Sequence, residues 1–163
     1  MLRREQDCST GRRSCAATSR YLSKAHTLMI YTNQQFVRWD DIDAFGHINN
    51  AKYLTYIQEA RFQWSFYQYA EKNEKPTLVE MVVARAEVDY LEPIYEGGRL
   101  YDVTLWVENI GNSSFTLGYE VIGDNGTVHA RVKTVQVAVS METKRSRPLT
   151  EAEKKFLQQY LKA

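Results

Sequence analysis

Residues 39–53 read Trp-Asp-Asp-Ile-Asp-Ala-Phe-Gly-His-Ile-Asn-Asn-Ala-Lys-Tyr, and they concentrate most of the reactive side chains of the chain. Asp40, Asp41, Asp43, His47, Asn49 and Asn50 fall within eleven positions, and the residues after them carry a helical pattern. A carboxylate held in such a loop can attack a carbonyl carbon or take a proton from water. The first turn of the following helix offers unpaired N–H groups and the positive end of the helix dipole. Together they can hold a carboxylate beside a polarised carbonyl, which is what acyl transfer needs. Asp and Asn also cap helices and shape turns with no chemistry at all. Residue types and spacing leave both readings open.

The elements around this loop follow from periodicity. A strand is expected over 31–39, then the polar loop 40–50 with Gly46 in it. Asn49 or Asn50 caps a long helix reaching about residue 71. Tyr53, Ile57, Ala60, Trp64 and Tyr67 form its apolar stripe, and Phe62, Phe66 and Tyr69 widen the second half, so this helix needs cover on most sides. After Pro76 the period drops to two. Residues 82–91, 101–108 and 115–121 alternate as half-buried strands, separated by Pro93 with Gly97-Gly98 and by Gly111-Asn112. Asp124-Asn125-Gly126 is a hairpin signal. In the last strand, 128–139, the apolar positions pass from Val128, Ala130 and Val132 to Val135, Val137 and Val139, which predicts a bulge or a double-sided core segment there. Thr150 and Glu153 fit a capping box that opens a short terminal helix through residue 161. Strands joined by short connections are expected to pair in sequence as antiparallel neighbours. The fold class is α+β, one long helix packed on an antiparallel sheet.

Composition bounds the rest. The chain has 163 residues, 44% hydrophobic and 25% charged, which suits one soluble domain. Residues 1–29 hold six cationic side chains against two carboxylates, a net of +4, so residues 30–163 sit at −3 within the total of +1. That main domain lacks the basic footprint of a nucleic-acid binder. Residues 1–29 read as a disordered extension and hold both cysteines, Cys8 and Cys15. Residues 30–163 form the domain. No apolar run approaches the roughly 20 residues of a membrane span, no secretory signal is evident, and a cytoplasmic location is expected. His26, His47 and His129 are scattered, so no metal site is expected. No nucleophile elbow, P-loop or dinucleotide fingerprint occurs.

The run WDDIDAFGHINNAKYLTYIQEAR closely resembles the motif of the 4-hydroxybenzoyl-CoA thioesterase-like hotdog family, in the form D-x-D-x-x-G-H-x-N-N-x-x-Y-x-x-Y-x-E-x-A-R. VDYLEPIYEGG and the Gly111 turn with Ser113-Ser114 are similar to later parts of that family, although Gly97-Gly98 stands where the family often has Gly-Asp. The resemblance implies a curved sheet wrapped around a central helix, a homodimer or homotetramer, and active sites at the subunit interface. It implies an acyl-CoA thioesterase with no resident cofactor. Asp43, the second Asp of the motif, would be nucleophile or general base, and the backbone N–H of Asn50 would polarise the thioester carbonyl. His47 and Tyr53 would line the substrate site. Asp41 is expected to be structural, and Glu59 and Arg61 to make packing or interface contacts. Arg85, Arg131, Lys133, Lys144, Arg145 and Arg147 are the candidates for the CoA phosphates. A non-hydrolytic hotdog module binding acyl thioesters, an acyl-carrier-protein thioesterase and a hotdog dehydratase are the alternatives.

Overall fold

The computed structural model describes residues 29–162; apart from Met29, the expected extension 1–29 lies outside them. Five strands form one antiparallel sheet: β1 (Tyr31–Val37), β2 (Met81–Tyr90), β3 (Arg99–Ile110), β4 (Ser114–Ile122) and β5 (Val128–Ala138). Their order is β1-β3-β4-β5-β2. The tight turns expected between β3, β4 and β5 pair those strands as consecutive neighbours. The expectation that β2 would pair with β3 is corrected. β2 lies at the far edge against β5, and β1 takes the place beside β3. The segment joining β2 to β3 buries Ile94 on the way, and the carbonyl of Ile94 accepts the N–H of Ile48 at 2.8 Å. The crossing is thereby fixed under the reactive loop.

The central helix begins at Asn50 because Asn49 caps it: the Asn49 Oδ1 accepts the N–H of Ala51 at 3.0 Å. Regular α-helix runs over Asn50–Phe62, continues as a π turn at Gln63–Tyr67 and ends in one α turn, Gln68–Ala70. Tyr53, Ile57, Ala60 and Trp64 are buried, as the stripe predicts, and Tyr56 is buried beside them, but Tyr67 is 43% exposed. The π turn is the reason. It advances the buried stripe by five residues, from Trp64 to Tyr69, so Tyr69 packs on the core and Tyr67 does not.

The cover that this aromatic helix needs comes from the C-terminal helix, Glu151–Gln158. Phe156 and Tyr160 stand 5.0 and 5.3 Å from the Trp64 ring. Its expected capping box is present, with Thr150 Oγ1 accepting the N–H of Glu153 and Glu153 Oε2 accepting that of Thr150. Arg147 grips Glu153 through two nitrogens at 2.8 and 2.9 Å, anchoring the approach to the helix.

Two strand expectations need correction. β5 keeps one parity inward throughout: Ala130, Val132, Thr134, Gln136 and Ala138 are all buried. The apparent switch of face arises because polar Thr134 and Gln136 occupy inward positions. Opposite Val135 and Gln136 the register shift falls on β2, between Val83 and Arg85, leaving Ala84 as the extra residue. The bulge that β5 does carry lies at its start, where His129 is the extra residue against β4. β2 is also not half-buried, since residues 82–87 are exposed whichever way they point. It is an edge strand reaching past the cover of the helix.

Candidate active site

The reactive loop hangs on Asp41. Its carboxylate is fully buried and accepts from Arg38 three times, the backbone N–H at 3.0 Å, Nη2 at 2.9 Å and Nε at 3.3 Å. Tyr56 Oη donates at 2.8 Å and Lys52 Nζ lies at 3.0 Å. Burial alone would raise this carboxyl. The Arg38 side chain and backbone, Tyr56 and Lys52 outweigh it and hold Asp41 well below the usual carboxylate range. Tyr56 shifts the other way, upward, through burial and the adjacent carboxylate. Asp41 thus ties the loop entrance to the second turn of the central helix.

Beyond this anchor the chain makes a small hairpin. Ile42 bridges Ile48, the N–H of Asp43 donates to the His47 carbonyl at 2.9 Å, and that of Gly46 donates to the Asp43 carbonyl at 3.0 Å. Gly46 closes the turn at φ 80°, a left-handed conformation that glycine takes without a Cβ penalty. Asp43 Oδ1 accepts the N–H of Phe45 at 2.8 Å, and Oδ2 points towards His47 Nδ1 at 3.6 Å. That separation is beyond a direct hydrogen bond. His47 lies between Phe45, stacked at 6.1 Å, and Tyr95, edge-on at 6.3 Å.

A cavity of about 210 Å³ opens at the head of the central helix, lined by His47, Ile48, Asn50, Tyr53, Tyr90 and Pro93 among others. Three of the four sequence-predicted site residues, His47, Asn50 and Tyr53, line it directly. Asp43 does not; its carboxylate lies 3.6 Å from Nδ1 of His47, which does. The first N–H groups of the helix are largely committed. That of Asn49 bonds the Asp41 carbonyl, that of Ala51 the Asn49 side chain, and that of Lys52 the Asn49 carbonyl. Among the described residues, the N–H of Asn50 meets no acceptor. Burial pushes the Tyr53 phenol up to about 12, so it is neutral and able to donate at physiological pH.

Tyr90 and its neighbours on the far wall escape a reading of the motif, since they lie forty residues away at the end of β2. Tyr90 Oη donates to the Asn50 carbonyl at 3.0 Å, and its ring meets that of Tyr53 at 5.3 Å. The signal in the sequence is an aromatic strand end followed by Pro93. Of the cations proposed for phosphates, Arg85, Arg131, Lys133 and Arg147 are each paired with a carboxylate: Glu87, Glu120, Glu108 and Glu153. Among the described residues, no group of three His, Cys, Asp or Glu is placed to hold a metal ion, and no helix is long and apolar enough to cross a membrane.

A single long helix against a curved antiparallel sheet, with a polar loop at the helix head, is the architecture of hotdog-fold thioesterases. The family described as the thioesterase-like superfamily matches residues 37–159. The protein YsmA of Bacillus subtilis (strain 168) is 33% identical over 135 residues, 80% of this chain and 87% of that protein. A 1,4-dihydroxy-2-naphthoyl-CoA hydrolase of Rippkaea orientalis is 28% identical over 138 residues, 78% of this chain and 91% of the hydrolase. Among solved structures, a thioesterase from Thermus thermophilus complexed with coenzyme A and zinc superposes with a TM-score of 0.65 at 32% identity. That match covers 78% of this chain and 91% of the thioesterase. The chain belongs to the thioesterase-like superfamily and is a thioester hydrolase.

Proposed function

We propose that the chain hydrolyses an acyl-CoA to the free acid and CoA, with Asp43 as the carboxylate that drives the reaction. The observation that carries this is the uncommitted N–H of Asn50, a residue that lines the cavity beside the Asp43 turn. A thioester carbonyl placed against that N–H, at the positive end of the helix, is polarised as negative charge grows on its oxygen. Asp43 then acts in one of two ways. As a base it takes a proton from water, the hydroxide adds to the carbonyl carbon, and the C–S bond breaks to release the thiolate. As a nucleophile it adds to the same carbon and expels the thiolate, and water cleaves the resulting anhydride. His47, which lines the cavity beside that carboxylate, must turn aside or relay through water. Tyr53 and Tyr90 form the wall against which the acyl group lies. CoA as carrier is supported by the coenzyme A complex of the Thermus relative and by the hydrolase from Rippkaea. The reading includes a homo-oligomer, at least a dimer, working in the cytoplasm, because the exposed edge of β2 borders the cavity.

The test is Asp43→Asn, which keeps size and hydrogen bonding while removing both roles. kcat should fall by roughly 10²–10⁴-fold, with KM and the melting temperature almost unchanged. An Asp43→Asn enzyme with near wild-type kcat would overturn the assignment. In a single turnover, passage of ¹⁸O from labelled Asp43 into the product acid marks Asp43 as nucleophile, whereas a general base puts only water oxygen into the acid.

A further inference from the structure

A second cavity, about 50 Å³, lies at the opposite end of β2 from the first, lined by Arg61, Phe62, Trp64, Ser65, Met81 and Gln136 among others. Its polar wall is unusual for a place between helix and sheet. Gln136 is 1% exposed and its Nε2 donates to Thr134 Oγ1 at 2.8 Å, which leaves the second amide hydrogen uncommitted. Thr134 Oγ1 in turn lies 3.2 Å from the hydroxyl of buried Tyr119. Trp64 is wholly buried, and its indole N–H has no hydrogen-bond partner among the described residues. Native structures rarely leave such a donor unmet, because its desolvation is not recovered. Arg61 has no carboxylate within salt-bridge distance among the described residues and meets only the neutral hydroxyl of Tyr119, although Arg85, Arg131 and Arg147 each hold a carboxylate. The π turn Gln63–Tyr67 widens the helix at this place, and such turns recur at functional sites.

The wall therefore gathers three donor-bearing side chains, the guanidinium of Arg61, the indole of Trp64 and the amide of Gln136, and no carboxylate lines it. The volume holds one or two waters, or one carboxylate group. Arginine with additional N–H donors is the usual recognition of a carboxylate.

The cavity also has a route to the reaction. Were β2 to pair antiparallel with β2 of a second copy over its full length, Met81–Tyr90, then Tyr90 of one copy would stand opposite Met81 of the other. Tyr90 lines the first cavity and Met81 the second. Paired strands lie about 4.8 Å apart, so the acyl group entering one copy would extend towards the second cavity of its partner. We propose that this cavity receives the far end of the acyl group and selects a carboxylate there, so that the preferred substrates are mono-CoA thioesters of dicarboxylic acids. The proposal rests on the acyl-CoA hydrolysis reading above.

The experiment compares the full chain on matched pairs of CoA thioesters, monocarboxylic against dicarboxylic acyl groups, from four to ten carbons. At the best length the dicarboxylic member should have a kcat/KM higher by roughly tenfold to a hundredfold, the value of one hydrogen-bonded charge pair, seen mainly in KM. Arg61→Met should erase that preference while leaving the monocarboxylic partner within about twofold. Should Arg61→Met not fold, competitive inhibition of the wild type by free dicarboxylates over monocarboxylates of equal length gives the same answer. Equal rates within every pair, or an equal effect of Arg61→Met on both members, overturn the carboxylate assignment and leave the cavity filled by water. No turnover of any acyl-CoA would instead sink the hydrolysis reading itself.

Discussion

Replacing Asp41 by Asn separates holding the loop from doing its chemistry. Oδ1 of Asp41 receives Arg38 Nη2 and Lys52 Nζ, whereas Oδ2 receives the Arg38 N–H, Arg38 Nε and the Tyr56 hydroxyl. An Asn amide must turn its NH₂ towards one of these sets; the Tyr56 hydroxyl can turn to accept it, so two obligate donors face a donor in either orientation. Hydrogen bonds to a charged group contribute about 1.5–3 kcal/mol each. Arg38 and Lys52 keep access to water, at 54% and 31% exposure, so the loss should lie near 3 kcal/mol rather than at the upper limit. For a domain of this size that lowers the melting temperature by roughly 6–12 °C. The pH dependence has a definite sign. The folded carboxyl is depressed, so its contribution is complete above the unfolded pKa near 3.9 and fades as pH falls below it. The wild type should therefore lose stability on acidification below about pH 4 more steeply than Asp41→Asn. Thermal melts at matched concentration, from pH 3 to 8, together with kcat at pH 7, measure all of this. A loss under about 1 kcal/mol, or a collapse of kcat without a change in melting temperature, would refute the anchoring role.

Gly118 lies directly opposite Trp106 in the β3–β4 ladder, and the indole rests on it with Lys162 Nζ 4.5 Å from the ring centroid. A Cβ at Gly118 would stand 2.5 Å from that ring, so Gly118→Ala should destabilise by about 1–3 kcal/mol in urea melts; an unchanged midpoint would mean that the indole moves aside freely. On the free edge, Val83→Glu sets a charge opposite the apolar Val88 of a second copy in this register and should shift the light-scattering mass towards monomer with loss of activity. A fully active wild-type monomer at assay concentration would refute the edge pairing.

Much of the fold could be read from the chain because burial imposes its period on neighbouring residues. The alternation at 101–108 and 115–121 becomes β3 and β4, and Asn49 and Thr150 cap the helices as their types predict. Strand order was less legible. β2 reads like its neighbours, yet nothing local tells it to cross to β5, since that choice is made by contacts fifty residues apart. The candidate site divides the same way. His47, Asn50 and Tyr53 are brought to one cavity by a contiguous motif, whereas Tyr90 arrives from another element. The motif also gives no sign that His47 lines the cavity and Asp43 does not, because side-chain placement depends on the turn closed by Gly46.

The π turn also makes the register of the central helix a thing that must be held. One residue more than an α turn is stored between Gln63 and Tyr67. Releasing it would rotate everything beyond by about 100° and slide it by about 1.5 Å. Phe156 stands on both sides of that slack, 5.0 Å from Trp64 and 5.9 Å from Tyr69. The C-terminal helix thus works as a pawl: lifted away, it would let the helix wind back to regular α geometry and reshape the Arg61 cavity. The Asp43 turn, at the opposite end and tied separately through Asp41, would stay where it is.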